Sequence, residues 1–191
     1  MMTVVVHEVS HGWVALRLGD KTALMAGRLT LNPFKHIDPI GTVVLPLLLV
    51  LLRAPFVFGW AKPVPINVQN LQHPKRDMLW VGAAGPAANF FMAVLIAWGL
   101  RVFRPIESSA VLELGHAVIL INLVLGTFNL LPIPPLDGSR ILVGLLPIRF
   151  VRPLISLERW GIVLVMFLLY LGFMDRILWP IVAFFSKLLG I

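Results

Sequence analysis

Two long apolar segments, at about 78–102 and 110–131, limit the folds that this chain can adopt. Each reaches the roughly 20 residues that a helix needs to cross the hydrocarbon core of a bilayer. Of the 191 residues, 59% are hydrophobic and only 13% are charged, whereas a soluble domain usually carries about 25% charged residues. A chain of this composition could not cover itself with a polar surface, so it is predicted to be an integral membrane protein.

The predicted fold class is all-α and polytopic, with about six transmembrane or membrane-embedded helices. One of the weaker segments is interrupted by Pro46, Arg53 and Pro55, so it is expected to be kinked or partly inserted. Two connections, 27–39 and 59–67, mix β-forming residues with Pro and are predicted to be extended, β-like and membrane-associated. The four weaker apolar segments are about 1–18, 41–58, 160–173 and 177–189.

No polar stretch is long enough to form a second domain. The chain 1–191 is therefore predicted to be one integral membrane domain, with core motifs in 4–146 and C-terminal helices in 154–191. The net charge is +7, but the basic residues lie mostly in short loops, where lipid headgroups rather than nucleic acid are the expected partner. The chain has no Cys, which excludes disulfides and thiolate metal ligands. No basic leader precedes His7, so no signal peptide is expected.

The sequence HEVSH, residues 7–11, places two imidazoles and a carboxylate in an apolar segment. On a helix, His7 and His11 project from one face, one turn apart, and can bind a single metal ion. Glu8 beside them can act as general base toward a water at that ion. The motif also arises by chance in charged soluble helices, but in hydrocarbon each ionised group costs about 2.5–3.5 kcal/mol. HEVSH therefore predicts a catalytic zinc site.

A catalytic zinc usually takes three protein ligands and a water, so one more ligand is expected outside HEVSH. His36 and His73 are interpreted as solvated loop histidines, and His116 as a hydrogen-bonded histidine of the core. Asp137 is favoured because it ends FNLLPIPPLDG, residues 128–138, whose prolines open the backbone directly after an apolar segment. The alternative for Asp137 is that LDG only forms a turn.

Five ordered motifs between residues 4 and 146 resemble the site-2 protease family of intramembrane zinc metalloproteases, peptidase family M50. The similarity is greatest to its compact prokaryotic branch, which lacks PDZ and CBS domains. The resemblance implies one Zn²⁺ per chain, held by His7, His11 and Asp137, with Glu8 as the catalytic base. The motifs are HEVSHG, GRLTLNPFKHIDPIGT, GWAKPVPIN, AGPAANF and FNLLPIPPLDGSRIL.

The same resemblance places Asn89 and Asn129 near the active site, where both are expected to bind substrate. Their amides could donate to a substrate backbone or to the developing oxyanion, although polar residues in membrane helices also serve as interhelical hydrogen bonds. The extended stretches at 27–32, 59–67 and 131–135 could hold an unwound peptide by strand addition.

The implied activity is hydrolysis of peptide bonds within or near transmembrane segments of membrane proteins, as in regulated intramembrane proteolysis. The resemblance implies a multi-pass protein of the cell membrane with its active site toward the cytosol. The charge distribution does not set the orientation, because Lys and Arg in the inferred loops divide evenly between the two sides. The alternative is a catalytically inactive scaffold or a metal transporter that retains the metal site. A transporter should carry polar groups along several helices, and an inactive scaffold should have lost Glu8 or a ligand.

Overall fold

The computed structural model of this chain describes residues 1–54, 57, 59–104 and 109–191. Pro55 and Phe58, at the end of the predicted segment 41–58, lie outside the described residues. In the part of the chain that is described, the regular structure is helical and no β-strand is assigned. Its α-helices are α1 (Met2–Arg17), α2 (Thr22–Met25), α3 (Leu45–Leu51), α4 (Pro74–Phe103), α5 (Ala110–Asn129), α6 (Asp137–Leu145), α7 (Ile148–Leu157), α8 (Gly161–Tyr170) and α9 (Trp179–Leu189).

Two of the described helices are long and apolar enough to cross a membrane. They are α4, with 30 residues, and α5, with 20 residues, which correspond to about 45 Å and about 30 Å at 1.5 Å per residue. The helical stretches Glu158–Tyr170 and Asp175–Leu189 meet at a bend of 73° and provide a third span if the pair is counted as one. The all-α prediction is therefore confirmed, with two or three candidate spans.

The prediction of about six membrane helices is not confirmed. Helix α1 has only 16 residues, about 24 Å, which is shorter than a hydrocarbon core of about 30 Å. The apolar stretch Pro39–Leu51 is shorter still and begins with a π-helical turn, Pro39–Val44, before α3.

The predicted β-like segments are not confirmed either. A 3₁₀ turn, Pro33–His36, occupies part of 27–39, and 59–67 is irregular. The stretch 131–135 folds into turns, in which the Ile133 N–H donates to the Leu131 carbonyl (2.8 Å).

Helix α4 has well-defined ends. Pro74 occupies the first turn, where its missing N–H costs nothing. The Asp77 carboxylate accepts the His73 backbone N–H at 2.7 Å, so an acidic group lies at the positive end of the helix. Arg104 adopts a left-handed conformation (φ 44°) that ends the helix.

Helix α4 is also the centre of the packing, in contact with α1, α5 and α6. Small residues allow α6 to approach closely. A Cβ added at Gly82 would lie 2.9 Å from the Arg140 Cβ, and one at Gly144 would lie 2.6 Å from the Leu79 Cβ. This contact holds the start of α6 beside the first half of α4. On the other side of α4, the buried core consists of Ala93, Ala97, Ile119, Leu123, Leu178 and Val182.

The segment 59–67 is anchored to the region around α1 and α2. The Lys62 N–H donates to the His36 carbonyl (2.9 Å), and the Asn67 N–H donates to the Asp20 carboxylate (2.7 Å). The buried Arg28 donates through Nη2 to the Lys62 carbonyl at 2.7 Å. These bonds fix an irregular segment against residues that follow α1 in the chain.

Candidate metal centre

Three side chains that are far apart in sequence meet where α1 and α6 face α4. The His7 Nε2 lies 3.0 Å from Asp137 Oδ2, and the His11 Nε2 lies 3.1 Å from the same oxygen. The two Nε2 atoms are 3.1 Å apart. All three residues are buried. The structure thus brings together the three residues that the sequence proposed as ligands.

The protonation of His11 follows from its second ring nitrogen. His11 Nδ1 lies 2.6 Å from the Val81 carbonyl oxygen, which can only accept, so Nδ1 carries the proton. In the neutral ring, Nε2 then presents a lone pair toward Asp137 Oδ2 and His7 Nε2. A cation bound here would be held by the lone pairs of His11 Nε2 and Asp137 Oδ2.

This donor set fits zinc. Two imidazole nitrogens and one carboxylate oxygen are common catalytic zinc ligands, with metal–ligand distances of about 2.0–2.2 Å. Ligands of a tetrahedral ion are then about 3.3–3.5 Å apart, close to the 3.0–3.1 Å measured between the Nε2 and Oδ2 atoms. The other oxygen of Asp137, Oδ1, pairs with Arg140 Nη1 at 3.2 Å, which leaves Oδ2 for the ion.

Gly85 of α4 makes room for both histidine rings. A Cβ added there would lie 2.5 Å from His7 Cε1 and 2.6 Å from His7 Nε2, and it would also collide with His11 Nε2. No real Cβ approaches other atoms so closely. The closest neighbours of a Cβ at this position would be the rings of the two histidines.

Glu8 lies next to His7 on α1 and is half-buried. Its Oε2 accepts the backbone N–H of Val64 at 2.9 Å. This bond occupies only one of the two carboxylate oxygens of Glu8. The geometry thus separates Glu8 from the three residues whose ligand atoms converge.

The remaining histidines do not belong to this cluster. His36 was expected to be solvated, and this expectation is wrong: His36 is fully buried, with Nε2 at 2.9 Å from the Thr30 carbonyl. The loop closes over His36 because its own backbone supplies a hydrogen-bond partner. His73 is exposed as predicted, and His116 is half-buried on α5.

The two asparagines proposed to bind substrate occupy different environments. Asn89 is fully buried, and its Nδ2 lies 3.1 Å from His7 Nδ1. Asn129 is half-buried at the end of α5 and donates through Nδ2 to the Leu125 carbonyl one turn earlier (3.0 Å). Asn89 therefore contacts the metal centre directly, whereas Asn129 lies where α5 gives way to the proline-rich turns.

Several contributors to the site were missed from the sequence. The Val64 N–H and the Val81 carbonyl are backbone groups, and any residue type provides them, so the sequence carries no signal for them. Arg140 could have been found, because it follows Asp137 by three residues in DGSR and therefore lies on the same face of a helix.

The chain is similar to proteins that are named as zinc metalloproteases. A family model described as peptidase family M50 matches residues 104–173. The protein named "Putative zinc metalloprotease YwhC" of Bacillus subtilis is 38% identical over 190 residues, which cover 94% of this chain and 82% of that protein. The protein named "Putative zinc metalloprotease Rip2" of Mycolicibacterium smegmatis is 32% identical over 192 residues, covering 100% and 72%. No solved structure matches the chain.

Proposed function

This chain belongs to peptidase family M50, and from that premise we propose that it is an intramembrane zinc metalloprotease that hydrolyses peptide bonds within or near transmembrane segments of membrane proteins. The observation that carries the proposal is the buried convergence of His7, His11 and Asp137 beside Glu8. The relatives named as zinc metalloproteases support the same chemistry.

In the proposed mechanism, His7 and His11 would hold one zinc ion through their Nε2 atoms, and Asp137 would hold it through its carboxylate. When bound, the ion supplies a Lewis acid that polarises the scissile carbonyl and lowers the pKa of water. Glu8 takes the proton from the attacking water through Oε1 and delivers it to the leaving amine. The bond from the Val64 N–H holds Oε2 and so orients the carboxylate.

The position of the centre along α4 supports cleavage at membrane depth. Gly85, which contacts both histidines, lies eleven residues after Pro74, or about 17 Å along the helix. Helix α4 is about 45 Å long and exceeds a hydrocarbon core of about 30 Å by about 15 Å. If all of this excess length lies outside the hydrocarbon at the Pro74 end, Gly85 is at the edge of the hydrocarbon. If part of the excess lies at the other end of α4, Gly85 is deeper in the membrane.

The topology of α4 and α5 supports a single accessible side. If both helices span, the start of α4 and the end of α5 lie on the same side of the membrane. The metal centre lies against the first half of α4 and includes Asp137, which follows α5. From the family resemblance, we propose that the protein is a multi-pass protein of the cell membrane and that this side faces the cytosol.

We propose that residues around the metal centre hold the substrate. A transmembrane helix has to unwind before its carbonyls can be attacked, and an unwound peptide needs backbone partners. We propose that the segment 59–67, whose Val64 N–H is bonded to Glu8, lines the path of this peptide to the metal centre. Asn129, half-buried at the start of the proline-rich turns, is the proposed side-chain contact.

The proposal is tested by separating zinc binding from catalysis. The purified protein, reconstituted with a single-pass reporter, should cleave it, and a zinc chelator should stop cleavage. Glu8→Gln should retain about one zinc per chain but slow cleavage by at least 10²–10⁴-fold, the usual contribution of general base catalysis. Gln can still accept the Val64 N–H, so the local fold should persist.

Controls define what would contradict the mechanism. His11→Ala should lose most of the zinc, and so should Asp137→Ala, while His73→Ala, at an exposed position, should keep it. Undiminished zinc in Asp137→Ala would show that the third ligand is a different residue. Near wild-type cleavage by Glu8→Gln would show that this carboxylate is not the base.

A further inference from the structure

We propose that Asn89 is a positioning residue for the metal centre: its side-chain oxygen accepts the Nδ1 proton of His7 and so keeps Nε2 of His7 free to bind the ion. This inference rests on the zinc site proposed above. It gives Asn89 a role toward His7 in place of the substrate contact that the sequence suggested.

The first observation is the arrangement of α4. Val81, Gly85 and Asn89 follow one another at intervals of four residues and so lie along one face of the helix. At one end of this row, the Val81 carbonyl accepts the Nδ1 proton of His11. In the middle, Gly85 admits the two rings. At the other end, the Nδ2 atom of Asn89 lies 3.1 Å from the Nδ1 atom of His7.

The two histidines therefore have equivalent surroundings. Each points Nε2 at Asp137 Oδ2, and each has its Nδ1 against a polar group of the same helix. For His11 that group is a carbonyl, which fixes the proton on Nδ1. For His7 it is an amide, which can either donate or accept at Nδ1, depending on its rotation.

Zinc ligation selects between the two orientations of this amide. In the orientation of the structure, Nδ2 donates to His7 Nδ1, so the proton of the neutral ring sits on Nε2 and points at Asp137. A proton there excludes a metal ion. Rotation of the Asn89 amide by 180° puts the oxygen against Nδ1, moves the ring proton to Nδ1 and leaves Nε2 with a free lone pair.

No hydrogen bond from the described residues holds the Asn89 oxygen in its present orientation. The Asn89 Oδ1 atom is buried and accepts no hydrogen bond from them. Oxygen and nitrogen of an amide have nearly the same size, so the exchange needs no change in packing. The side chain is also fully buried, which removes it from contact with a bound peptide.

The expected consequence is on zinc affinity. Groups that accept the outer proton of a metal-bound histidine fix its tautomer, and their removal typically costs about 10–100-fold in metal affinity. Asn89→Leu has almost the same shape but accepts no proton, so it should lower zinc affinity by that factor. Asn89→Asp keeps an acceptor but has no N–H to donate, and it should bind zinc at least as tightly as the wild type.

The test is a zinc titration of the purified full chain against a chelator of known affinity. The control is Asn122→Leu, because Asn122 is another buried asparagine that donates to the Val118 carbonyl (2.8 Å) and to Thr3 but forms no described hydrogen bond to the three ligands. Its zinc affinity should stay within about 3-fold of wild type, well below the loss expected for an outer-shell partner.

The outcomes separate this inference from the proposed function. If the wild type binds no zinc, the proposed metalloprotease site is wrong. If the wild type binds zinc and Asn89→Leu binds it equally well, the positioning role alone is wrong. If Asn89→Leu does not fold, Asn89→Asp still decides: weakened zinc binding by this variant would show that the amide acts as a donor and would overturn the inference.

Discussion

The carboxylate of Glu8 and the backbone N–H of Val64 are joined by a hydrogen bond of 2.9 Å, which links α1 to the irregular segment 59–67. The bond uses one oxygen of the proposed base, and in the proposed mechanism the other oxygen takes the proton from the water. The direction of that second oxygen therefore depends on a segment more than fifty residues away in sequence. Anything that moves the segment should misalign the base without disturbing the ligands.

Arg28 offers a way to test this dependence. The buried guanidinium donates through Nη2 to the carbonyls of Lys62 (2.7 Å) and Pro63 (3.3 Å), directly before Val64. Arg28→Met should loosen the segment and reduce kcat by up to about 10²-fold, the cost of a misplacement of about 1 Å. The zinc content should not change, because Arg28 touches none of the three ligands. Reporter cleavage and elemental analysis measure the two effects.

The matched control for Arg28→Met is Arg17→Met. Arg17 is exposed and stacks over the ring of Trp13, and no hydrogen bond among the described residues joins it to the segment 59–67. The variant Arg17→Met should leave both kcat and zinc content at wild-type levels. A parallel loss of zinc and activity in Arg28→Met would mean that Arg28 supports the whole site and does not act through Glu8.

Two glycines of α4 provide a second prediction. A Cβ at Gly85 would collide with the rings of His7 and His11, whereas a Cβ at Gly99 would meet nothing within 4 Å. Ala favours a helix over Gly by about 1 kcal/mol at either position. Gly85→Ala should therefore lose most of its zinc by elemental analysis, while Gly99→Ala should keep it and be equally or more stable. Full zinc occupancy in Gly85→Ala would contradict the close approach of the rings.

The hydrogen bonds of Asp20 predict how the free energy of unfolding depends on pH. Burial alone would raise the pKa of this carboxyl, but hydrogen bonds from Thr22, Asn70 and Asn67 outweigh burial and lower it below its ordinary value. The ordinary pKa of Asp is about 3.9. A lowered pKa in the folded state means that the stabilisation is complete above that value and is lost as the pH falls through the folded-state pKa.

The variant Asp20→Asn removes the carboxylate and should therefore lower the stability of the folded protein at pH 7. Its amide cannot accept from both backbone N–H groups and side chains as the carboxylate does, so at pH 7 the free energy of unfolding should fall by about 1–3 kcal/mol. The difference from wild type should shrink as the pH approaches 3, as measured by thermal unfolding in detergent. Asp175→Asn, at an exposed position, is the control and should show little change at either pH. A constant difference from pH 7 to pH 3 would contradict the lowered pKa.

The side chains that meet at the centre could be predicted from the sequence, because their chemistry is carried by residue type. The spacing of HEVSH placed two imidazoles on one helical face, and the prolines before Asp137 brought a carboxylate to the end of an apolar segment. His36 could not be predicted in the same way. Its burial depends on the Thr30 carbonyl, a partner that exists only once the loop is folded.

The number of spans and the extended segments were harder to predict, because apolar composition does not distinguish a spanning helix from a short one. Pro39–Leu51 is apolar but short, and the C-terminal apolar stretches meet at a bend. The turns at 131–135 form through local bonds, such as that from Leu136 N–H to the Ile133 carbonyl (2.9 Å), which compete with extended backbone. Proline content excluded a helix there but did not choose between the alternatives.

The last prediction concerns the choice of substrate. The ligand atoms are buried and Glu8 is bonded to an irregular segment, so a substrate has to reach the centre as an unwound chain. Gly and Pro favour unwinding, because they disfavour a helix interior by about 1 and about 3 kcal/mol relative to Ala. Replacing such residues near the cleavage point of a reporter with Leu should therefore slow cleavage without changing membrane insertion. Removing the soluble flanks of the reporter should have a smaller effect, and the opposite ranking would show that recognition occurs outside the membrane-embedded site.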